Sequence, residues 1–175
     1  VVDFDFDPSG VTGVTTTAGK FPADHAVICA GIWSKDICAR LGWKVPLESH
    51  RGYHVTLENP GTSLNHMCFP VEDKFAITPM SMGVRVAGTV ELAGVDAPPN
   101  YARSQALLRA AIKILPGVRT EKVTQWMGHR PCLPDSLPVI DSCPHHKGIF
   151  FAFGHGHQGL LGASQTAKVV DELIR

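Results

Sequence analysis

Gly128-His129-Arg130-Pro131, then Pro134-Asp135-Ser136-Leu137-Pro138-Val139-Ile140, then Ile149-Phe150-Phe151-Ala152-Phe153, then Gly154-His155-Gly156-His157-Gln158-Gly159-Leu160-Leu161: the stretch 128–162 decides how the chain is read. An arginine stands between a glycine and a proline. A short apolar strand then runs into a loop of three glycines and two histidines, and an amphipathic segment follows to Arg175. A glycine-rich turn between strand and helix brings free backbone N–H groups to a helix N-terminus, a place suited to an anion or the electron-rich edge of a ring. An arginine nearby offers a two-pronged grip on a carboxylate.

By letter, Gly154-His155-Gly156-His157-Gln158-Gly159 fits G-x-G-x-x-G. A dinucleotide fold built on it needs a second parallel strand beyond the helix and an acid roughly 20 residues on. Only 16 residues follow Gly159, and they read as one helix. The loop is therefore expected to touch a ligand with its backbone without forming its own dinucleotide-binding unit.

The chain has 175 residues, 44% of them apolar, enough for an ordinary core. Lys plus Arg equals Asp plus Glu at 16 each, so no charge excess points to nucleic acid or an acidic membrane. Five cysteines, odd in number and without close pairing, read as reduced thiols of a cytoplasmic protein. The first residue is Val1, already inside a strand pattern, which suggests a further N-terminal part.

Along the chain, Val2, Phe4 and Phe6 alternate with Asp3, Asp5 and Asp7, a half-buried strand. Pro8-Ser9-Gly10 turns it into a partner at Val11–Thr17, and the two open a small meander. His25–Gly31 is a continuous apolar run, as in a buried parallel strand whose parallel neighbours this sequence does not supply. Ser34 is set to cap a helix over Lys35–Leu41, closed by Gly42. Strands are expected within Val45–Leu57 and over Cys68–Val71, Phe75–Met80 and Gly83–Leu92, the last with Val84, Val86, Val90 and Leu92 on one face. Asn100 begins a helix to Leu115 with Tyr101, Leu108, Ile112 and Leu115 inward. Glu121–Met127 returns as a strand. The final helix is expected to bury Leu160, Ala163, Ala167, Val170 and Ile174, and Trp33 and Trp126 read as core residues.

Four blocks carry a family resemblance: Val27-Ile28-Cys29-Ala30-Gly31-Ile32-Trp33-Ser34; Pro46-Leu47-Glu48 with Arg51-Gly52-Tyr53-His54; Thr78-Pro79-Met80 with Arg85-Val86-Ala87-Gly88-Thr89-Val90-Glu91; and the stretch from Gly128. In that order, they resemble the C-terminal portion of the superfamily of FAD-dependent D-amino-acid dehydrogenase, glycine oxidase and D-amino-acid oxidase, with the bacterial dehydrogenase branch nearest. The family's FAD-binding glycine motif lies before anything in this sequence.

The resemblance implies an α+β fold. Residues 1–44 would belong to an FAD-binding domain, 45–127 would form a substrate-binding antiparallel sheet, and 128–175 would return to the FAD-binding domain. Its cofactor would be FAD and its substrate a D-amino acid or related small imino acid, oxidised at the Cα–N bond by hydride transfer. Arg130 would hold the substrate carboxylate, helped by Tyr53 and His54. Ala30, Gly31, Trp33 and the run Gly154, His155, Gly156, His157, Gln158, Gly159 and Leu160 would line the flavin. No catalytic base is required, because the cofactor carries the chemistry. Implied partners are the N-terminal half of the FAD domain and, through a full-length enzyme, a link to quinone or the inner face of the membrane; a homo-oligomer stays open. Two other readings stand beside this one. His155 and His157 form H-x-H, which with Cys132, Cys143, His145 and His146 would make a metal-dependent hydrolase, although no pair has the spacing of a structural zinc site. The chain could also be a non-catalytic interaction module with an exposed apolar patch.

Overall fold

The computed structural model describes every residue from Val1 to Arg175. In chain order the elements are β1 (Asp3–Asp7), β2 (Gly10–Thr16), β3 (Gly19–Pro22), β4 (Ala26–Ile28), a 3-10 turn (Gly31–Trp33), α1 (Ser34–Arg40), β5 (Glu48–Leu57), β6 (Phe75–Met80), β7 (Gly83–Leu92), α2 (Ala102–Ile114), β8 (Val123–Cys132), β9 (Val139–Ser142), β10 (Ile149–Phe153) and α3 (Gly159–Ile174). The architecture is α+β, with three separate sheets. Two compact units emerge: Val1–Ser49 with Arg130–Arg175, and His50–His129. Their junctions fall within β5 and β8, because each is one uninterrupted ten-residue strand.

In the first unit β1, β2 and β3 form an antiparallel meander. Phe4 and Val11 are buried, but Val2 and Phe6 of the expected inner row are exposed, and the Asp7 carboxylate accepts the N–H groups of Ser9 (2.7 Å) and Gly10 (3.2 Å) at the turn. The second sheet has the order β4-β10-β9, with β10 parallel to β4 and antiparallel to β9. β10 sits centrally, so Ile149, Phe150, Phe151 and Phe153 are all buried. β4 is parallel as its composition suggests, and the chain itself supplies a parallel neighbour, β10, contrary to expectation, because Ile149–Phe153 is an equally apolar run; β10 is its one neighbour, and Val27 is exposed. Trp33 is 55% exposed and not in the core.

α1 ends as expected and begins otherwise. Gly42, at φ +83°, donates to Ala39 O (3.1 Å) and Trp43 N–H donates to Cys38 O (2.9 Å), the paired bonds of a Schellman stop. Ser34 is the first helical residue and fully buried; its hydroxyl caps nothing. α3 buries none of its residues. Leu160, Ala163 and Ala167 are exposed, and Val170 and Ile174 only half-buried, so the expected inner stripe of the last helix is not one.

In the second unit the strand order is β6-β7-β5-β8. One face carries Tyr53, Val55, Leu57, Phe75, Ile77, Val84 and Val86, packed on Leu107, Ala111 and Leu115 at α2. Of the residues expected inward, Leu115 is buried and Leu108 packs half-buried against this core, whereas Tyr101 and Ile112 are exposed and Leu107 and Ala111 take their place. Leu107-Leu108 and Ala110-Ala111-Ile112 are apolar throughout, so spacing alone does not choose between adjacent stripes. Val90 and Leu92 are exposed because the register between β5 and β7 shifts at Arg51–Tyr53, placing Glu91 opposite Arg51. The expected strand at Cys68–Val71 reduces to one bridge, Cys68 to Ile77.

Candidate functional site

The parallel pairing of β4 with β10 sets Ile28 beside Phe151. Three residues on from each comes a glycine in the left-handed region, Gly31 at φ +59° and Gly154 at φ +85°. The two loops therefore leave the same edge of the sheet, at the carboxyl ends of parallel strands, where α/β sheets receive ligands. A Cβ at Gly31 would meet nothing within 4 Å, so its backbone is open to close approach. A Cβ at Gly154 would stand 2.6 Å from Leu133 Cδ1, and at Gly156 3.4 Å from Cys132 Sγ.

Gly156 N–H donates to Pro131 O at 2.9 Å, which ties the glycine loop to the end of β8 one residue beyond Arg130. Cys132, Ser136 and Gly154–Gln158 line a hollow of about 200 Å³. That is below the roughly 300–1,000 Å³ of a whole ligand pocket and suits one edge of a flat ring. Gln158 opens α3 with no side-chain cap, which leaves the first-turn N–H groups without a capping side chain, and Leu160 beyond it is 95% exposed. The backbone in this region offers a ligand two things: open glycine backbone and uncapped helix donors.

His155 does not reach outward as a ligand would. Its Nε2 lies 2.9 Å from Thr166 Oγ1, across the start of α3, where the ring passes beside Gly162. It anchors the loop on the helix. Thr166 was invisible to motif reading, since it lies eleven residues beyond His155. His157 and Gln158 are exposed. No group of three His, Cys, Asp or Glu residues is placed to hold a metal, which leaves the hydrolase reading without a ligand set.

Arg130 is half-buried. Burial lowers its proton affinity from the ordinary high value, with the neighbouring Cys132 acting in the other direction. It still carries its charge throughout the accessible range. Burial likewise raises the Cys132 thiol, and Arg130 only partly offsets this, so Cys132 is no neutral-pH nucleophile.

Tyr53 is 1% exposed. Its hydroxyl donates to Glu91 Oε2 and accepts the Asn100 N–H at 2.9 Å. Glu91 also receives Arg51 Nη1 at 3.3 Å and Arg103 Nε at 3.4 Å, and Arg51 donates to Ala97 O as well. The Tyr53 hydroxyl is thus committed within its own unit, with no open face for a substrate carboxylate. Burial and the Glu91 hydrogen bond both raise its pKa and keep it protonated.

His54 lies on the opposite face of the same sheet. Its ring stacks on Trp126, with centroids 5.0 Å apart and planes 24° apart. Trp126, expected in the core, is 55% exposed and lies over Gly128, where a Cβ would come 2.0 Å from its Cη2. Burial, and then the charge of Arg85, lower the His54 pKa and hold it neutral.

Residues 1–173 match the family described as FAD dependent oxidoreductase (DAO). A D-amino-acid oxidase of Bradyrhizobium diazoefficiens is 38% identical over 168 residues, covering 94% of this chain and 40% of that protein. A glycine oxidase of Pseudomonas putida is 31% identical, covering 94% of this chain and 45% of its own. The crystal structure of glycine oxidase from Geobacillus kaustophilus superposes with a TM-score of 0.82 at 28% identity, over 99% of this chain and 47% of that one. The chain thus spans less than half the length of each of these relatives.

Proposed function

The chain belongs to the FAD-dependent oxidoreductase family, and on that premise we propose that it forms the substrate side and one flavin edge of an enzyme that oxidises the Cα–N bond of D-amino or small imino acids. The observation that carries this reading is the bond from Gly156 N–H to Pro131 O, which holds the glycine loop against the strand end bearing Arg130. A guanidinium and an open amide turn are thereby kept in one place.

FAD, when bound, supplies the electron-accepting ring. The protein supplies position and field. Gly31 and Gly154–Leu160 hold the ring edge through backbone, and Ala30 and Trp33 flank the first of these loops. The uncapped start of α3 adds positive partial charge at that edge, which stabilises negative charge there by roughly 0.3–2 kcal/mol. Arg130 fixes the substrate carboxylate through charge-assisted hydrogen bonds, each about 1.5–3 kcal/mol. Tyr53 acts as a strut through Glu91 and Asn100, and His54 presents a neutral ring on the open sheet face.

The test is a chimaera in which this chain replaces the matching part of the Bradyrhizobium D-amino-acid oxidase, assayed by dye reduction. D-amino acids are expected to reduce the dye, and Arg130→Met to raise KM by about tenfold or more. An unchanged KM would remove Arg130 from carboxylate binding.

A further inference from the structure

Gly154-His155-Gly156 carries one side chain, the His155 imidazole, between two glycines in the left-handed region, at φ +85° and φ +54°. Glycine on either side leaves the peptide planes of the turn free to rotate unless something holds them. His155 is the residue able to hold them through its side chain, and it is tied twice. Its carbonyl accepts the Gln158 N–H at 2.9 Å, and its ring nitrogen Nε2 lies 2.9 Å from Thr166 Oγ1. Every one of these residues belongs to the first unit.

Thr166 stands about two turns into α3, where the helix is already fixed by its own hydrogen bonds. The ring reaches it along the first turn, where a Cβ at Gly162 would stand 3.8 Å from His155 Cδ2. His155 and Thr166 are both half-buried, so their bond is partly shielded from competing water. His155, with Ser136 and Gln158, lines both the hollow of about 200 Å³ at the glycine turn and a second one of about 180 Å³ that Ile140, Gln165 and Thr166 also line. The bond to Thr166 therefore sets where the shared ring stands. Without it, the ring has the second hollow to turn into, and the two flanking peptides turn with it.

We propose that Thr166 is a positioning residue: acting through the His155 ring, its hydroxyl fixes the amides of Gly154–Gly156 in the orientation that receives the flavin edge. This rests on the proposed function, in which that turn takes the ring. Amides fixed before the ligand arrives need no ordering when it binds, and the gain is read as affinity.

Titration of the ¹⁵N-labelled chain with lumiflavin compares wild type, Thr166→Val and Thr166→Ser. Valine keeps the branched shape and removes the hydroxyl; serine keeps the hydroxyl. Thr166→Val is expected to weaken lumiflavin binding by about fivefold or more, and Thr166→Ser to restore it to within about twofold of wild type. The ring ¹⁵N shifts of His155 read the bond without any ligand: Thr166→Val should move them, and Thr166→Ser should leave them near wild type. Hydrogen exchange in Thr166→Val should quicken at the His155 and Gly156 amides and stay unchanged at Gly31, in the other turn; a general loss of stability would quicken both. Lumiflavin binding by Thr166→Val equal to wild type would overturn the proposal and leave the flavin site standing. So would equal weakening by both variants, since the hydroxyl would not then be the cause, and so would equal quickening at Gly31. A wild-type chain whose Gly154–Leu160 amides ignore lumiflavin would remove the flavin reading, and this inference with it.

Discussion

At the scale of single residues, the second unit is organised by one carboxylate. Glu91 receives the Tyr53 hydroxyl and two arginines, and the Tyr53 bond is the largest cause of its lowered pKa, followed among the favourable ones by Arg103 and Arg51. A depressed pKa contributes stability that is present above the unfolded value, near 4.5, and lost as pH falls through the lower folded value. Glu91→Gln should therefore lower Tm at neutral pH and flatten its decline below pH 4.5; thermal melts across that range check it, and parallel acid limbs in the two proteins would contradict it. Arg130 stands out in the sequence because Gly128 and Pro131 frame it, but its carboxylate-binding role is a proposal that the framing alone does not carry. The commitment of Tyr53 was not legible there, because its partner lies 38 residues away across a shifted register. Long-range pairing decides whether a tyrosine hydroxyl is buried or offered, and local pattern carries no trace of it.

Among the elements, the turn from β10 into α3 is the least tolerant. Gly154 combines φ +85° with a Leu133 methyl 2.6 Å from any added Cβ. Gly154→Ala should destabilise the chain by about 1–3 kcal/mol; a denaturant midpoint equal to wild type would show that the turn relaxes freely. Gly31→Ala meets open space, so its strain is that of backbone alone. This strand–turn–helix could be read from the sequence because strand composition and glycine chemistry agree there. The faces of α2 and α3 could not. The apolar residues of α2 admit two adjacent stripes, and α3 has the pattern of a buried helix while burying nothing. Periodicity reports which residues share a face; it does not report what covers that face.

For the whole molecule, two cores of ordinary packing coexist with an apolar helix face that neither unit uses. Leu107→Ala in the second unit should cost about 2–5 kcal/mol, as a buried leucine does. The Leu160→Ser, Leu161→Ser pair, at 95% and 83% exposure, should change stability by less than about 1 kcal/mol and reduce concentration-dependent self-association in sedimentation runs. Undiminished association would place the sticky surface elsewhere. No helix is long and apolar enough to cross a membrane. Family membership and α+β class were both readable from four short blocks in order, since such blocks record backbone geometry; the uncovered helix was not, since solvent exposure is a property of the assembled chain. The most direct measurement is an amide-resolved titration of the labelled chain with lumiflavin, the ring alone. Shifts confined to Gly31 and to Gly154–Leu160 are expected, and saturable shifts elsewhere, or none at those amides, would contradict the claim that the two glycine turns receive the flavin.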